Sequence, residues 1–206
     1  MSDHYFSETP SSDFTPREIE AILAGDSYKL LTAGGVFSPE HLDRGTEILL
    51  RTLEVREPAE NEAAKLPVLD LGCGWGPIAL SAALHESDRE VWAVDVNARS
   101  RELTALNAER LGLKNVRVGS PEEVPSDIVF GAIHSNPPIR VGKQVLHEML
   151  QLWLPRLAHG GEALLVVAKH LGADSLQKWI DTEFAELEVN RIARDKGFHV
   201  IEAYRA

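Results

Sequence analysis

The sequence predicts an α/β fold in which helices cover both faces of a mostly parallel, doubly wound sheet. Two observations support this prediction. From Pro67 onward, short apolar segments alternate with segments of helical period, which is the pattern of a parallel sheet. The chain then ends in two apolar segments around Lys196-Gly197, which predict an antiparallel hairpin at the close of the sheet.

The residues ahead of this core are predicted to form an extension. Residues 1–15 are rich in Ser, Thr, Asp and Pro and have no apolar period, so we expect them to be flexible or to wrap over the surface. Residues 16–60 read as a short β-hairpin that turns at Ala24-Gly25-Asp26, followed by a helix. The core of the fold would then span residues 61–206.

In each segment, the spacing of the apolar residues predicts a strand or a helix. The predicted strands are Arg17 to Leu23, Ser27 to Thr32, Val68 to Leu71, Glu90 to Val96, Asn115 to Val118, Phe130 to Ser135, Glu162 to Ala168, Leu187 to Ala193 and Phe198 to Tyr204. The predicted helices are Leu42 to Leu53, Pro77 to His85, a helix capped by Asn97 that runs to Leu111, Gln144 to Leu154 and Asp174 to Phe184.

The composition bounds the kinds of site. The chain has 206 residues, of which 44% are hydrophobic, and no run of about 18 apolar residues occurs in it. Its first residues lack the basic and apolar regions of a secretion signal, so we expect a cytoplasmic protein that does not enter a membrane. Cys73 is the only cysteine and the eight His are scattered, so we expect no metal site. The net charge of −11 predicts weak nonspecific affinity for RNA.

A glycine-rich turn follows the first core strand. In an open α/β sheet, ligands bind beyond the carboxyl ends of the strands, and Gly72, Gly74 and Gly76 lie there, with Asp70 just ahead of them. Glycine permits positive φ and close approach of a ligand to the backbone. The spacing differs from that of a dinucleotide fingerprint, which argues against a pyrophosphate ligand. A tight strand-to-helix connection with no ligand is the alternative.

The next two strands also end in polar or small residues. Asp95 can accept hydrogen bonds from both hydroxyls of a ribose, although it could instead cap the following helix, a role that Asn97 could fill. Val96 could cover one face of an adenine. Gly119 and Ser120 could reach the base from the other side or form a simple turn.

The fourth core strand ends in Ser135-Asn136-Pro137-Pro138. Both prolines restrict the backbone to a stiff, extended form whose carbonyls we expect to be free to accept hydrogen bonds. The Asn136 side-chain oxygen and the Pro137 carbonyl could take the two N–H bonds of a planar amine and aim its nitrogen at a methyl sulfonium. Positioning of this kind is worth on the order of 7 to 11 kcal/mol of barrier and needs no strong base. A proline-rich loop that only stops the strand is the alternative.

Other conspicuous residues have simpler interpretations. We interpret Cys73 as a small filler in the glycine turn and His134 as a core histidine, while Trp75 could lie in the core or form a wall of the ligand pocket at that turn. Basic side chains follow the fourth and fifth core strands, namely Arg140, Lys143, Lys169 and His170. They could form a rim for a phosphate-bearing substrate or an ordinary solvated surface.

At these residues the sequence resembles the class I methyltransferases of the small methyltransferase-domain group. Val68 to Gly74 is similar to their donor-binding motif, Asp95 to their ribose acid, and Ser135-Asn136-Pro137-Pro138 to their amine-methylating signature. Upstream, Gly35-Val36-Phe37-Ser38 and Asp43-Arg44-Gly45-Thr46 resemble the segment that precedes the core in the ribosomal RNA small-subunit guanine-N2 methyltransferase C branch. The resemblance covers roughly residues 28 to 204.

The resemblance implies a Rossmann-like, seven-stranded sheet and S-adenosylmethionine as the cofactor. The site residues it implies are, for catalysis, Asn136, Pro137 and Pro138; for the donor, Phe37, Asp70, Gly72, Cys73, Gly74, Gly76, Asp95, Val96, Gly119, Ser120 and Asn136; for the substrate, Phe37, Ile139, Arg140, Lys143 and Lys169. Ile139 stands where many of these enzymes have an aromatic residue that stacks on the target. Stacking would then come from elsewhere, with Phe37 as the candidate.

Three functions follow as hypotheses. The first is methylation of a guanine exocyclic amine in ribosomal RNA, with RNA or a ribosomal subunit as the partner. The second is methylation of a protein glutamine amide, whose planar nitrogen the same motif could hold. The third is a donor-binding module without catalysis. The sequence does not indicate an oligomeric state.

Overall fold

The computed structural model describes residues 14–57 and 60–206. The strands are β1 (Arg17–Leu23), β2 (Asp26–Thr32), β3 (Val68–Leu71), β4 (Val91–Val94), β5 (Val116–Gly119), β6 (Phe130–Ser135), β7 (Leu157–Ala168), β8 (Glu188–Asp195) and β9 (Phe198–Tyr204). The α-helices are α1 (Arg44–Glu54), α2 (Pro77–His85), α3 (Ala98–Arg110), α4 (Lys143–Trp153) and α5 (Ala173–Glu183). The expectation for residues 1–15 falls almost entirely outside the described residues.

The predicted sheet is confirmed. Its seven strands follow the order β5-β4-β3-β6-β7-β9-β8, and β1 and β2 form a separate two-stranded hairpin. The pairs β4 with β5 and β6 with β7 are parallel, whereas β9 pairs antiparallel with both β7 and β8. Within residues 14–57 and 60–206, no helix is long and apolar enough to cross a membrane.

Contacts divide the chain into two compact units, the first of which contains residues up to 43 together with residues 69–126. Its N-terminal hairpin turns at Ala24 and Gly25, both with positive φ. Asn107 of α3 fastens this hairpin, because its side chain accepts from Leu31 N at 2.7 Å and donates to Leu31 O at 2.9 Å. The core of this unit includes the fully buried Leu69, Leu80 and Leu103.

The strand predicted at Glu90 to Val96 is shorter in the structure, where it ends at Val94. The reason is local hydrogen bonding after the strand. The Asp95 carboxylate accepts from Asn97 N at 2.8 Å, and Asn97 accepts from Arg99 N at 2.9 Å as the cap of α3. The backbone therefore turns into the helix two residues earlier than the apolar pattern indicates.

The second compact unit contains residues 44–68 and 127–206. Arg56, just beyond α1, connects to the sheet through Glu162 Oε2 at 2.5 Å and Glu202 Oε1 at 3.0 Å. The strand predicted from Glu162 begins earlier, at Leu157, with an irregularity in register between Phe130 and Ala132 of its neighbour. The Gly160-Gly161 pair lies inside this bulged strand.

The C-terminal hairpin forms as predicted. Phe198 pairs with Asp195, and the two turn residues between them have positive φ, 47° at Lys196 and 84° at Gly197. Two consecutive residues with positive φ are the requirement of a type I′ turn, one of the two common two-residue hairpin turns. The core of this unit includes Phe130, Ile133, Leu150, Trp153 and Leu165.

Candidate active site

The glycine turn after β3 uses positive φ at all three glycines: 80° at Gly72, 58° at Gly74 and 101° at Gly76. A Cβ on Gly72 or Gly74 would have no atom of the protein within 4 Å, so this side of the turn is open. A Cβ on Gly76 would instead meet Thr104 at 3.0 Å and Leu80 at 3.2 Å. The turn therefore offers its first two glycines to a ligand, whereas Gly76 permits close packing at the start of α2.

Helix α3 holds the glycine turn in place, and the sequence analysis did not identify this role. Thr104 donates to Gly74 O at 3.0 Å, and Asn107 donates to Trp75 O at 2.9 Å. Both side chains are fully buried. Polar residues three apart on a helix share one face, and such a pair on the face that carries Leu103 is the signal that could have revealed them.

Asp95 joins the end of β4 to the glycine turn. Its carboxylate accepts from Gly74 N at 2.9 Å through one oxygen and from Asn97 N through the other. Because Asn97 caps α3, the alternative role considered for Asp95 as the helix cap is wrong. Burial raises the pKa of Asp95, and these two backbone N–H groups oppose that rise. Each carboxylate oxygen has a second lone pair that a ribose hydroxyl can use.

Asp70 carries an unsatisfied buried oxygen. Its Oδ2 accepts from Ala79 N at 2.9 Å, whereas Oδ1 finds no hydrogen-bond partner among the described residues. Burial raises the pKa of Asp70 to about 8, and the charge of Asp95 adds to the rise. An orphaned buried acceptor is costly unless a donor reaches it, so Oδ1 fits an N–H or cationic group of a bound ligand.

Cys73 and Trp75 are packed into the protein. Both are at most 3% exposed, and the Cys73 sulfur lies 3.5 Å from the Thr104 hydroxyl. Burial first, and then the charges of Asp95 and Asp70, raise the pKa of the thiol. The thiolate is the nucleophilic form of cysteine, so this environment supports the interpretation of Cys73 as a filler. Trp75 occupies a core position and donates to Ser38 O at 3.2 Å.

The segment around Phe37 is fixed by bonds to α3 and to the glycine turn. Gly35 O accepts from the Asn97 side chain at 2.8 Å, and Gly34 O accepts from Arg99 at 2.6 Å. Phe37 itself is 40% exposed, as a residue that meets a ligand must be. Asn97 thus caps α3 and also holds this segment.

The remaining predicted donor residues lie where β4 and β5 end. Val94 pairs with Gly119, and Asp95 N donates to Gly119 O at 3.3 Å. Val96 is 47% exposed, whereas Gly119 is buried. Ser120 begins a short turn in which its backbone N–H donates to Glu123 at 2.7 Å. The exposed Val96 is the member of this group with the largest apolar surface for an adenine.

Asn136 and the two prolines follow β6 in the second unit. Asn136 Nδ2 donates to the hydroxyl of Thr46 at 3.0 Å, and Thr46 lies on α1, only 4% exposed. This bond directs the nitrogen of the amide to α1 and the oxygen away from it. Thr46 belongs to the Asp43 to Thr46 segment that the resemblance singled out, but no role was predicted for it.

The expectation that the carbonyls of this segment are free is wrong. Pro137 O accepts from Ile139 N at 2.8 Å, and Pro138 O accepts from Val141 N at 3.1 Å. Pro138 has φ −74° and ψ 71°, the backbone of an inverse γ-turn, which curls the chain back on itself. Each carbonyl oxygen still has a second lone pair, so Pro137 remains able to accept one further bond.

The predicted substrate residues other than Phe37 follow the carboxyl ends of β6 and β7. Ile139 is half-buried, whereas Arg140, Lys143 and Lys169 are exposed.

Among the residues that the structure describes, no three His, Cys, Asp or Glu side chains cluster to hold a metal ion.

The profile of the methyltransferase small domain matches residues 27–202. This match covers the hairpin from β2, both compact units and nearly all of the sheet. The chain belongs to the methyltransferase small domain family. The prediction of an S-adenosylmethionine-dependent methyltransferase is thereby confirmed, with S-adenosylmethionine as its methyl donor.

Relatives of this methyltransferase include proteins of two lengths. The uncharacterized protein YbxB of Bacillus subtilis (strain 168) is 36% identical and is covered over 98% of both chains. The ribosomal RNA small subunit methyltransferase C of Shewanella loihica is 31% identical over 76% of this chain but only 45% of its own length. The chain thus spans about half the length of the curated ribosomal RNA relatives it matches.

Among solved structures, a 16S rRNA N2 methyltransferase of T. thermophilus, in complex with AdoMet and guanosine, superposes with a TM-score of 0.77 at 24% identity. The match covers 94% of this chain and 52% of that one. At this identity the likeness establishes the fold. The residues around the glycine turn fit S-adenosylmethionine, the family's donor. Gly72 and Gly74 present an open side of the turn, Asp95 presents a carboxylate, and Asp70 presents an orphaned oxygen.

Proposed function

We propose that this methyltransferase acts on the exocyclic N2 amine of a guanine in RNA of the small ribosomal subunit, in the cytoplasm. The observation that carries the proposal is the Asn136 side chain, which Thr46 holds by its nitrogen at the end of β6. The names of the ribosomal RNA relatives support the choice of RNA.

The donor segments have distinct roles in this proposal. Asp95 would hold the ribose hydroxyls. The ammonium group of the bound ligand would oppose the raised pKa of Asp70, so that Oδ1 is ionised and accepts its hydrogen bond. Gly72 and Gly74 let the ligand approach the backbone, because neither presents a side chain. Bound S-adenosylmethionine supplies a methyl group on a positively charged sulfur.

Asn136 and Pro137 orient the acceptor amine. The guanine N2 has two N–H bonds and a lone pair conjugated with the ring, so it is a poor nucleophile. The Asn136 side-chain oxygen and the second lone pair of Pro137 O would accept these two bonds, which fixes the direction of the nitrogen lone pair. Once the methyl group has left the donor sulfur as a neutral thioether, the cationic nitrogen would lose its proton to water, so no strong base is needed. Orientation of this kind can account for about 7 to 11 kcal/mol of the barrier.

The test is an acceptor assay with labelled donor and small ribosomal subunits from a strain that lacks the protein. The expected result is label in RNA, recovered after digestion as a guanosine methylated at N2. The matched control is Asn136→Ala, which should bind donor and leave the RNA unlabelled. Label in protein alone, at a glutamine, would contradict the proposal and favour the glutamine amide hypothesis. Donor binding without labelling of any fraction would favour a non-catalytic module.

A further inference from the structure

The negative charge of the chain is unevenly distributed. Residues 1–43 and 69–126 contain eight Lys and Arg against 17 Asp and Glu, a net charge of −9. Residues 44–68 and 127–206 contain 13 against 15, a net charge of −2. The unit that carries Asn136 therefore holds most of the basic side chains.

Within this second unit, five exposed cations lie at or just after strand ends. They are Arg140 and Lys143 after β6, Lys169 after β7, Arg194 near the end of β8, and Lys196 in the turn between β8 and β9. We refer to these five residues as the basic track. No acidic residue occurs between Ser135 and Lys143 or between Ala168 and Gly172. The only acidic residue between Arg194 and Lys196 is Asp195, which pairs with Arg51 at 3.0 Å.

Strand pairing brings the basic track to one edge of the sheet. Because β6 and β7 are parallel, with Ser135 opposite Leu165, both strands end at this edge. Because β9 is antiparallel to β7, with Ala168 opposite Phe198, the β8–β9 turn lies there too, and Lys169 N donates to Gly197 O at 2.8 Å. Four adjacent strands at about 4.8 Å spacing make this edge about 15 Å wide, enough for more than one phosphate.

The cations of the track have no acidic partner in the structure. Among residues 14–57 and 60–206, none of the five forms an ion pair within 4.0 Å. The nearby Asp174 is paired with Arg191 at 2.6 Å. His199, opposite Arg194 on the neighbouring strand, reports the resulting positive field. Burial is the largest cause that lowers the pKa of His199. Three cations lower it further, namely Arg191, Arg194 and Lys169, while Asp174 opposes them.

We propose that the basic track binds the phosphate backbone of the acceptor RNA beside the target nucleotide, with Arg194 and Lys196 as the anchor farthest along the edge from β6. The proposal rests on the proposed function in taking RNA as the acceptor. Arg and Lys contacts to phosphate fix register and orientation without reading sequence. The acidic remainder of the chain repels the same backbone, which confines RNA to this edge.

The test compares two double variants. Arg194→Gln with Lys196→Gln removes two charges from the track, and Lys114→Gln with Lys178→Gln removes two exposed charges elsewhere. For the track variant we expect KM for small subunits to rise about fivefold to tenfold at unchanged kcat and donor Kd. The slope of log kcat/KM against log salt should fall in magnitude by about 1.5. Equal behaviour of the two variants would overturn the proposal.

Direct binding separates this proposal from the proposed function. Affinity for a fluorescent fragment of small-subunit RNA, measured without donor, should fall in the track variant and persist in the control even if the guanine assignment fails. Poly-glutamate tests an acidic protein partner. If the track variant loses poly-glutamate binding and keeps RNA binding, the surface serves such a partner and the proposal is wrong. An intact donor Kd and an unchanged Tm establish that the variant is folded.

Discussion

Asp70 lies in an environment far from that of the same side chain in water. Its carboxyl group is fully buried beside Asp95, and one oxygen has no partner among the described residues. Burial and the neighbouring charge favour its protonated form, so the folded protein holds a proton there that the unfolded chain loses near pH 3.9. This difference makes stability depend on pH.

The direction of this pH dependence follows from the raised pKa of Asp70, which is about 8. Between about pH 4 and pH 8 the folded state binds more protons at Asp70 than the unfolded state, so its contribution to the free energy of unfolding falls as pH rises. Asp70→Asn keeps an acceptor for Ala79 N and cannot titrate. Urea unfolding at pH 5, 6, 7 and 8 should show a steeper decline in the wild type than in the variant. Parallel declines would contradict the raised pKa.

Thr46 is expected to act through Asn136. Thr46→Val removes the hydroxyl that holds the amide nitrogen, so the amide can rotate and the acceptor amine is less well oriented. We expect kcat to fall about tenfold to a hundredfold while donor Kd stays within about twofold. Thr52→Val is the matched control on the same helix, because the Thr52 hydroxyl donates to Ile48 O at 2.8 Å, within its own helix. A similar loss in both variants would mean that the effect arises from α1 and not from Asn136.

At the scale of elements, the junction between the glycine turn and α2 depends on Gly76. A side chain there would adopt φ 101° and meet Thr104 and Leu80 at 3.0 to 3.2 Å. Gly76→Ala should therefore combine a backbone penalty of about 1 to 2 kcal/mol with overpacking of about 1 to 3 kcal/mol. Gly112→Ala, at φ 69° with open space around it, should carry only the backbone penalty. Chemical denaturation measures the free energy of unfolding of both variants. An equal loss of stability in the two would exclude a contribution from overpacking at Gly76.

The attachment of α1 to the sheet depends on Arg56. Its guanidinium lies between Glu162 and Glu202, whose side chains are 25% and 15% exposed. Arg56→Met leaves two carboxylates facing each other in a half-buried place, so we expect a loss of about 1 to 3 kcal/mol in the free energy of unfolding. Arg51→Met removes an exposed pair with Asp195 and should change stability by about 0.5 kcal/mol or less. An equally small effect at Arg56 would show that its ion pairs are not stabilising.

At the scale of the whole molecule, donor binding is linked to global unfolding. A donor concentration of about 100 Kd should stabilise the folded state by about 2.7 kcal/mol, which raises Tm by about 5 to 10 °C for a chain of this length. Asp95→Ala should lose most of this rise, whereas Asn136→Ala should keep it. Differential scanning fluorimetry with and without donor measures the shift. Equal loss in both variants would contradict the separate roles proposed for these residues.

The sequence by itself determined the alternation of strands and helices and the family. The bounds predicted for β3, α2, β6 and β9 agree with the structure, because each apolar run there ends at a glycine or a polar residue. The glycine turn, Asp95 and Asn136 were likewise visible, since strand ends in an α/β sheet are where ligands bind. Their assigned roles remain predictions.

Only the tertiary structure decided which groups support or compete with these residues. Thr46 precedes Asn136 by 90 residues, and Thr104 follows Gly74 by 30, so no local pattern connects either pair. The Ile139 N–H occupies one lone pair of Pro137 O because Pro138 closes a turn that proline chemistry alone leaves undetermined. The basic track depends on the antiparallel return of β9, which places Arg194 and Lys196 beside Lys169. Sequence records which side chains are present, but pairing across the sheet decides which of them meet.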